Sequence, residues 1–188
     1  MAMPIGASAL ALHAKAWTLD EVLALPEDEG YRAELIDGAV HVSPAPGLAH
    51  QRVLQRLQLA LIDAAPPQFE VLPGINVVLN GCRLLIPDLA VINAPGLDAV
   101  CCTADELVLA VEVISPSSRV YDNAAKRQLY AEADVPFLMV VDPDTDPVSA
   151  IAYELRGDEY REMARSRRGV LRLDLPFAAR VDFTRSGR

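Results

Sequence analysis

Two acidic side chains and one lysine stand out by their surroundings. Asp88 interrupts the apolar run RLLIPDLAVIN (83–93), and Glu112 interrupts LVLAVEVIS (107–115). Each run reads as a buried strand, because a strand covered on both faces is a nearly continuous hydrophobic stretch. A carboxylate isolated among such neighbours is costly to ionise, so each acid needs a cation, a donor or a metal. The segment after the second run offers Arg119 and Lys126. Two hard oxygen ligands on neighbouring strands suit Mg²⁺, with Mn²⁺ as a substitute. Mg²⁺ takes one or two protein carboxylates and leaves its other positions to water and substrate phosphate. Such an ion polarises a phosphoryl oxygen and lowers the pKa of a bound water. Lys126 would then orient that water or offset charge in the transition state. The set fits metal-assisted phosphodiester hydrolysis. The chain has no G-x-S-x-G elbow, no glycine-rich phosphate loop and no HExxH.

Several elements must bring these groups together. Alternation along 107–114 puts Leu107, Leu109, Val111 and Val113 on one face, and Val108, Ala110, Glu112 and Ile114 on the other. Ser115 to Ser118 stop this strand. A helix of good formers follows from Asp122 to Ala133, capped by Asp122 or Ser118, with Lys126 and Tyr130 one turn apart on one face. Lys126 has a plain alternative partner in Asp122, four residues before it, and Tyr130 a plain role in packing. Asp88 lies in a strand read over Arg83–Asn93, where Pro87 points to a bulge or an edge. Phe69 to Leu79 reads as a strand interrupted by Pro73 and Gly74, with Asn80-Gly81 as a turn and 94–105 as a loop.

Upstream, Thr18 and Glu21 form a capping box, with Trp17 and Val22 as a hydrophobic staple, for a short helix over Leu19–Leu25. Asp37-Gly38 between alternating runs marks a tight hairpin. Glu34, on its first arm, reads as the solvated face of an edge strand. His50 to Asp63 is a helix with Val53, Leu54, Leu57 and Leu61 as its apolar stripe. His50 falls on that stripe and reads first as a structural residue. Downstream, Val135 to Val141 is a buried strand, and Val148–Leu155 and Glu159–Met163 form a hairpin. Leu171 to Phe183 adds one or two short pieces.

The 188 residues suit a single domain over 1–188, with 1–16 and 184–188 as loose termini. The formal net charge of -9 argues against a broad basic surface for nucleic acid, though not against a local groove or a substrate neutralised through metal ions. The arginines at 161, 165, 167, 168 and 172 read as a solvated face, with contact to a phosphate backbone as the alternative. Cys82, Cys101 and Cys102 match neither a zinc site nor a disulfide framework, so a reducing cytoplasm is the simplest setting. No apolar run is long enough for a membrane span, and the N-terminal stretch lacks the basic region of a signal peptide.

Pro87-Asp88 followed by EVIS at Glu112–Ser115 resembles the PD-(D/E)xK nuclease signature. More narrowly, the chain resembles the Uma2 family of restriction-endonuclease-like proteins. The matching pieces are ELIDG (34–38), SPAPGLAH (43–50), PDLAV (87–91), EVISPSSR (112–119), Asp122-x-x-x-Lys126, Tyr130 and VPFLMVVDP (135–143). The resemblance implies a restriction-endonuclease-like α+β fold: a mixed β-sheet with an αβββαβ core, helices on its faces and an added N-terminal hairpin. It implies a metal site at Asp88 and Glu112 helped by the Val113 carbonyl, with Glu34 as an additional acid. In the wider signature the lysine sits two residues after the second acid, where this chain has Ile114, and Lys126 would supply the amine instead.

Two functions are therefore open. One is a Mg²⁺-dependent endonuclease acting on nucleic acid, with DNA placed before RNA, and a homodimer if it cuts both strands of a duplex. The other is a binding or regulatory module that keeps the fold without the chemistry, as Ile114 would allow.

Overall fold

The computed structural model describes residues 15–25, 31–114 and 121–184. The caps and cations expected at Ser115–Ser118 and Arg119 lie outside these residues, as does the side chain of Asp122.

Two sheets share the chain. The larger has six strands in the order β11-β10-β9-β8-β6-β3, and the smaller has five, β2-β1-β5-β4-β7. The larger sheet contains β3 (Glu70–Pro73), β6 (Leu89–Ile92), β8 (Leu107–Val113), β9 (Phe137–Asp142), β10 (Ser149–Arg156) and β11 (Glu159–Arg165). The smaller contains the hairpin β1 (Tyr31–Ile36) and β2 (Ala39–Pro44), the hairpin β4 (Asn76–Asn80) and β5 (Arg83–Leu85), and β7 (Cys101–Thr103). A third, two-stranded sheet pairs β12 (Val170–Leu173) with β13 (Ala179–Asp182). The helices are α1 (Leu19–Leu23), α2 (Leu48–Ala64) and α3 (Tyr121–Glu132). Followed through the larger sheet alone, the chain runs α2-β3-β6-β8-α3-β9, the expected αβββαβ order. β8 and β9 are parallel and are joined through α3, because parallel neighbours need a crossover.

Local chemistry explains most boundaries. Thr18 Oγ1 accepts the Glu21 N–H while Glu21 Oε2 accepts the Thr18 N–H, the capping box that starts α1. Asp37 and Gly38 both have positive φ, the geometry of a two-residue hairpin turn. One face of the larger sheet packs on the apolar stripe of α2 and on β12–β13, through Leu57, Leu61, Val91, Val111, Leu171 and Val181. Its other face packs on α3 and the smaller sheet, through Ala90, Ala110, Tyr130, Leu138, Val77 and Leu85. Among the described residues no helix is long and apolar enough to cross a membrane.

Three expectations need correction. The stretches Phe69–Leu79 and Arg83–Asn93 are each two strands, one half in each sheet. Gly74, at φ 59°, breaks the first, and its N–H donates to the Asp88 carbonyl at 3.2 Å. Ile86-Pro87-Asp88 breaks the second, since Pro87 cannot donate to a ladder. Asp88 therefore sits at a corner just before β6, not within a strand. The segment 94–105 also contains β7 and the start of a short 3₁₀ turn over Ala104–Glu106. Finally, the alternation along β8 slips once. Ile92 pairs with Leu107 and Val91 with Leu109, leaving Val108 as an extra residue. That bulge turns Leu107 to the face of Ala110, and Val108 to the face of Leu109.

Candidate active site

The corner before β6 is where the acids meet. Leu89 pairs with Val111 across β6 and β8, so Asp88 follows on beside Glu112 and Val113. The Val113 N–H donates to Asp88 Oδ2 at 2.8 Å. The Val113 group bonded to Asp88 is its amide; its carbonyl is a separate group, the one the family resemblance implies as a metal ligand. His50, in the first turn of α2, places Nε2 3.0 Å from the same oxygen. Its Nδ1 is buried with no partner among the described residues. Arg32 on β1 donates from Nη1 to the other oxygen, Oδ1, at 2.5 Å. Burial pushes the Asp88 carboxyl up, but the hydrogen bond and charge of His50, the Val113 N–H and Arg32 outweigh it, and the pKa falls below the ordinary value.

Glu112 points into a tighter environment. The Tyr130 hydroxyl donates to Oε1 at 2.8 Å, and Lys126 Nζ lies 3.4 Å from both oxygens. Lys126 and Tyr130 reach the same carboxylate because they are one turn apart on α3. Lys126 also donates to Glu34 Oε1 at 2.8 Å, and that oxygen accepts the Ile86 N–H at 2.8 Å. Glu34 is only 5% exposed. The solvated-edge reading of Glu34 is thus overturned: β1 lies between β2 and β5, so its inward face is covered.

Three carboxylates here face two permanent cations, Arg32 and Lys126. The imbalance falls on Glu112. Burial raises its pKa, Lys126 opposes the rise, and the charges of Asp88 and Glu34 add to it, leaving the carboxyl pushed up to about 7. Lys126 moves the other way from its own burial: the negative charges of Glu112 and Glu34 overcome desolvation and raise its pKa. Burial, then the Glu112 charge, raises the Tyr130 phenol well above its ordinary value, so it stays a donor.

Among the described residues, no group of three or more His, Cys, Asp or Glu side chains is placed to hold a metal by itself. The oxygen donors present are hard, and two carboxylates are what Mg²⁺ ordinarily takes from protein. Three carboxylates against two cations also favour a further cation, so the donor set is compatible with that ion.

All four side chains expected at the site, Asp88, Glu112, Lys126 and Glu34, converge here. Arg32 joins them as a further residue of the site. Its signal was available: it lies two residues before Glu34 on the same strand, hence on the same face. His50 reads from the sequence as structural, because its contact with Asp88 depends on α2 meeting the β6 corner, which no local pattern reveals.

No curated protein matches the chain at a significant level. Among solved structures, the fold is similar to that of a protein from Anabaena variabilis described as a "putative nuclease". The two share 19% identity with a TM-score of 0.66, over 78% of this chain and 84% of that one. That likeness speaks for the fold. The model of the Uma2 family, described as "Putative restriction endonuclease", matches residues 19–182, a span that holds every site residue named above. By that match the chain belongs to the Uma2 family.

Proposed function

We propose that the chain is a metal-dependent endonuclease that hydrolyses phosphodiester bonds in nucleic acid, with DNA as the first substrate to test. Asp88 and Glu112 would hold Mg²⁺, or Mn²⁺ in its place, with the Val113 carbonyl as a further ligand. The observation that carries the reading is the meeting of Asp88, Glu112 and Lys126 at one corner, with Val113 bridging the two acids' strands. When bound, the ion supplies Lewis-acid polarisation of the phosphate and an acidified water.

The chain's own residues have separable tasks. His50 and the Val113 N–H fix Asp88 Oδ2 from two directions. The Tyr130 hydroxyl holds Glu112 Oε1. Lys126 keeps its proton, because Glu34 and Glu112 raise its pKa. A protonated amine cannot take a proton from water, so Lys126 acts by donating to a phosphate oxygen and offsetting charge there. Glu34 keeps that amine in place. Cutting both strands of a duplex would require two such sites, which a homodimer supplies.

The test is cleavage of supercoiled plasmid and of single-stranded DNA with Mg²⁺ or Mn²⁺. Wild type should cut, and Glu112→Ala should not. Equal cutting by the two refutes the assignment. A second reading, a nucleic-acid-binding or regulatory module without chemistry, draws on Ile114 in the usual lysine position. It would be favoured if wild type neither cuts nor releases heat on titration with Mn²⁺ in the presence of an oligonucleotide.

A further inference from the structure

The two oxygens of Asp88 are held differently. Oδ2 is fixed by two buried donors, the Val113 N–H and His50. Oδ1 is held by Arg32, whose side chain remains 29% exposed. Among the described residues Asp88 is the one acidic partner of Arg32. The guanidinium lies beside Gly74. A Cβ built there would have Arg32 Nη2, at 3.7 Å, as its one heavy-atom neighbour within 4 Å. Among the described residues the arginine thus spans a buried carboxylate and a part-exposed position, with one donor of its five in a hydrogen bond.

We infer that Arg32 is a phosphate-binding residue parked on Asp88 until a divalent cation displaces it. The inference rests on the nuclease reading above. A cation entering at Asp88 has Oδ1 as the oxygen not already held by two buried partners, and Arg32 already occupies it. Two positive charges sharing one oxygen repel strongly in a partly buried site. A histidine or lysine could relieve that conflict by losing its proton, but a guanidinium cannot, so it must move. Once released, its planar fork matches phosphate geometry, and the exposed side of the site is where a phosphate would arrive. Cation and substrate would thus enter as an ordered pair. The arginine that blocks Asp88 in the resting protein becomes a substrate contact in the loaded one.

The exchange predicts effects of opposite sign, which a merely structural arginine would not give. Binding of Mn²⁺ alone is measured by calorimetry on the full chain. Binding of a fluorescent oligonucleotide is measured by anisotropy with Ca²⁺ as a cation that supports little turnover. Arg32→Gln should bind Mn²⁺ several-fold more tightly than wild type and the oligonucleotide about tenfold more weakly, the scale of one charge-assisted hydrogen bond. Arg32→Lys, which keeps the charge and loses the fork, should show the oligonucleotide defect and serves if the glutamine variant does not fold. Mn²⁺ binding by wild type that is unchanged or weakened in Arg32→Gln overturns the exchange alone. So does unchanged oligonucleotide affinity in both variants. Absence of Mn²⁺ binding by wild type overturns the metal reading itself, and the exchange falls with it.

Discussion

Replacing Glu112 by glutamine should make the metal-free protein more stable at neutral pH, and the gain should vanish in acid. The Glu112 carboxyl is raised from the ordinary 4.5 to about 7 in the folded chain. Between those values the folded protein keeps a proton that the unfolded chain has released. The folded state then binds more protons than the unfolded one, so stability falls as pH rises across the window. Below it both states are protonated, and above it both are ionised. At about 1.4 kcal/mol per pH unit, the interval is worth ~3 kcal/mol. Glutamine does not titrate, and its carbonyl can still accept the Tyr130 hydroxyl. The stability gap between variant and wild type should therefore widen by ~3 kcal/mol from about pH 4.5 to about pH 8. Other titrating groups, including Asp88 with its lowered pKa, largely cancel in that difference. Urea unfolding in EDTA at the two pH values measures it. Adding Mn²⁺ at about a hundredfold excess over its Kd should stabilise wild type alone, by about 2.7 kcal/mol, and close the gap. A gap that does not change with pH refutes the buried, under-neutralised acid. A gap that widens with pH but ignores Mn²⁺ refutes only the ligand role.

Three further outcomes follow from the same geometry. Lys126→Met leaves Glu34 and Glu112 without their shared cation and should cost about 3 kcal/mol in urea unfolding. Adding Glu112→Gln should recover part of that loss, and strict additivity of the two changes would argue against a shared pair. Tyr130→Phe removes a donor to ionised Glu112, so the carboxyl should hold its proton to still higher pH. Mn²⁺ affinity should fall about tenfold at neutral pH and return by about pH 9, whereas a defect independent of pH would point to misfolding. His50→Ala leaves Asp88 Oδ2 with the Val113 N–H alone and should cost about 1–3 kcal/mol. An unchanged unfolding midpoint would mean that the contact contributes nothing.

Patterns of short range were enough to locate most elements. The capping box at Thr18, the Asp37-Gly38 turn, the apolar stripe of α2 and the buried run of β8 depend on neighbours within a few residues. Each appears where its local chemistry puts it. The unusual acids were also legible, because a charge inside an apolar run is conspicuous without any fold. The limits came where one stretch serves two sheets. Nothing local separates a bent strand from two strands, so in the sequence the breaks at Gly74 and Pro87 look like irregularities within single strands.

Residue types and spacing by themselves determined the helices, the hairpin turns and the acids and amine that could do chemistry, while the αβββαβ order followed from the family resemblance. The tertiary structure alone decided which groups neutralise which. Arg32 reaches Asp88 across 56 positions, and Lys126 reaches Glu34 across 92. The difference is physical. Backbone conformation and amphipathic period are set by nearest neighbours along the chain. Desolvation and charge pairing are set by whatever the packed sheets and helices bring within a few ångströms.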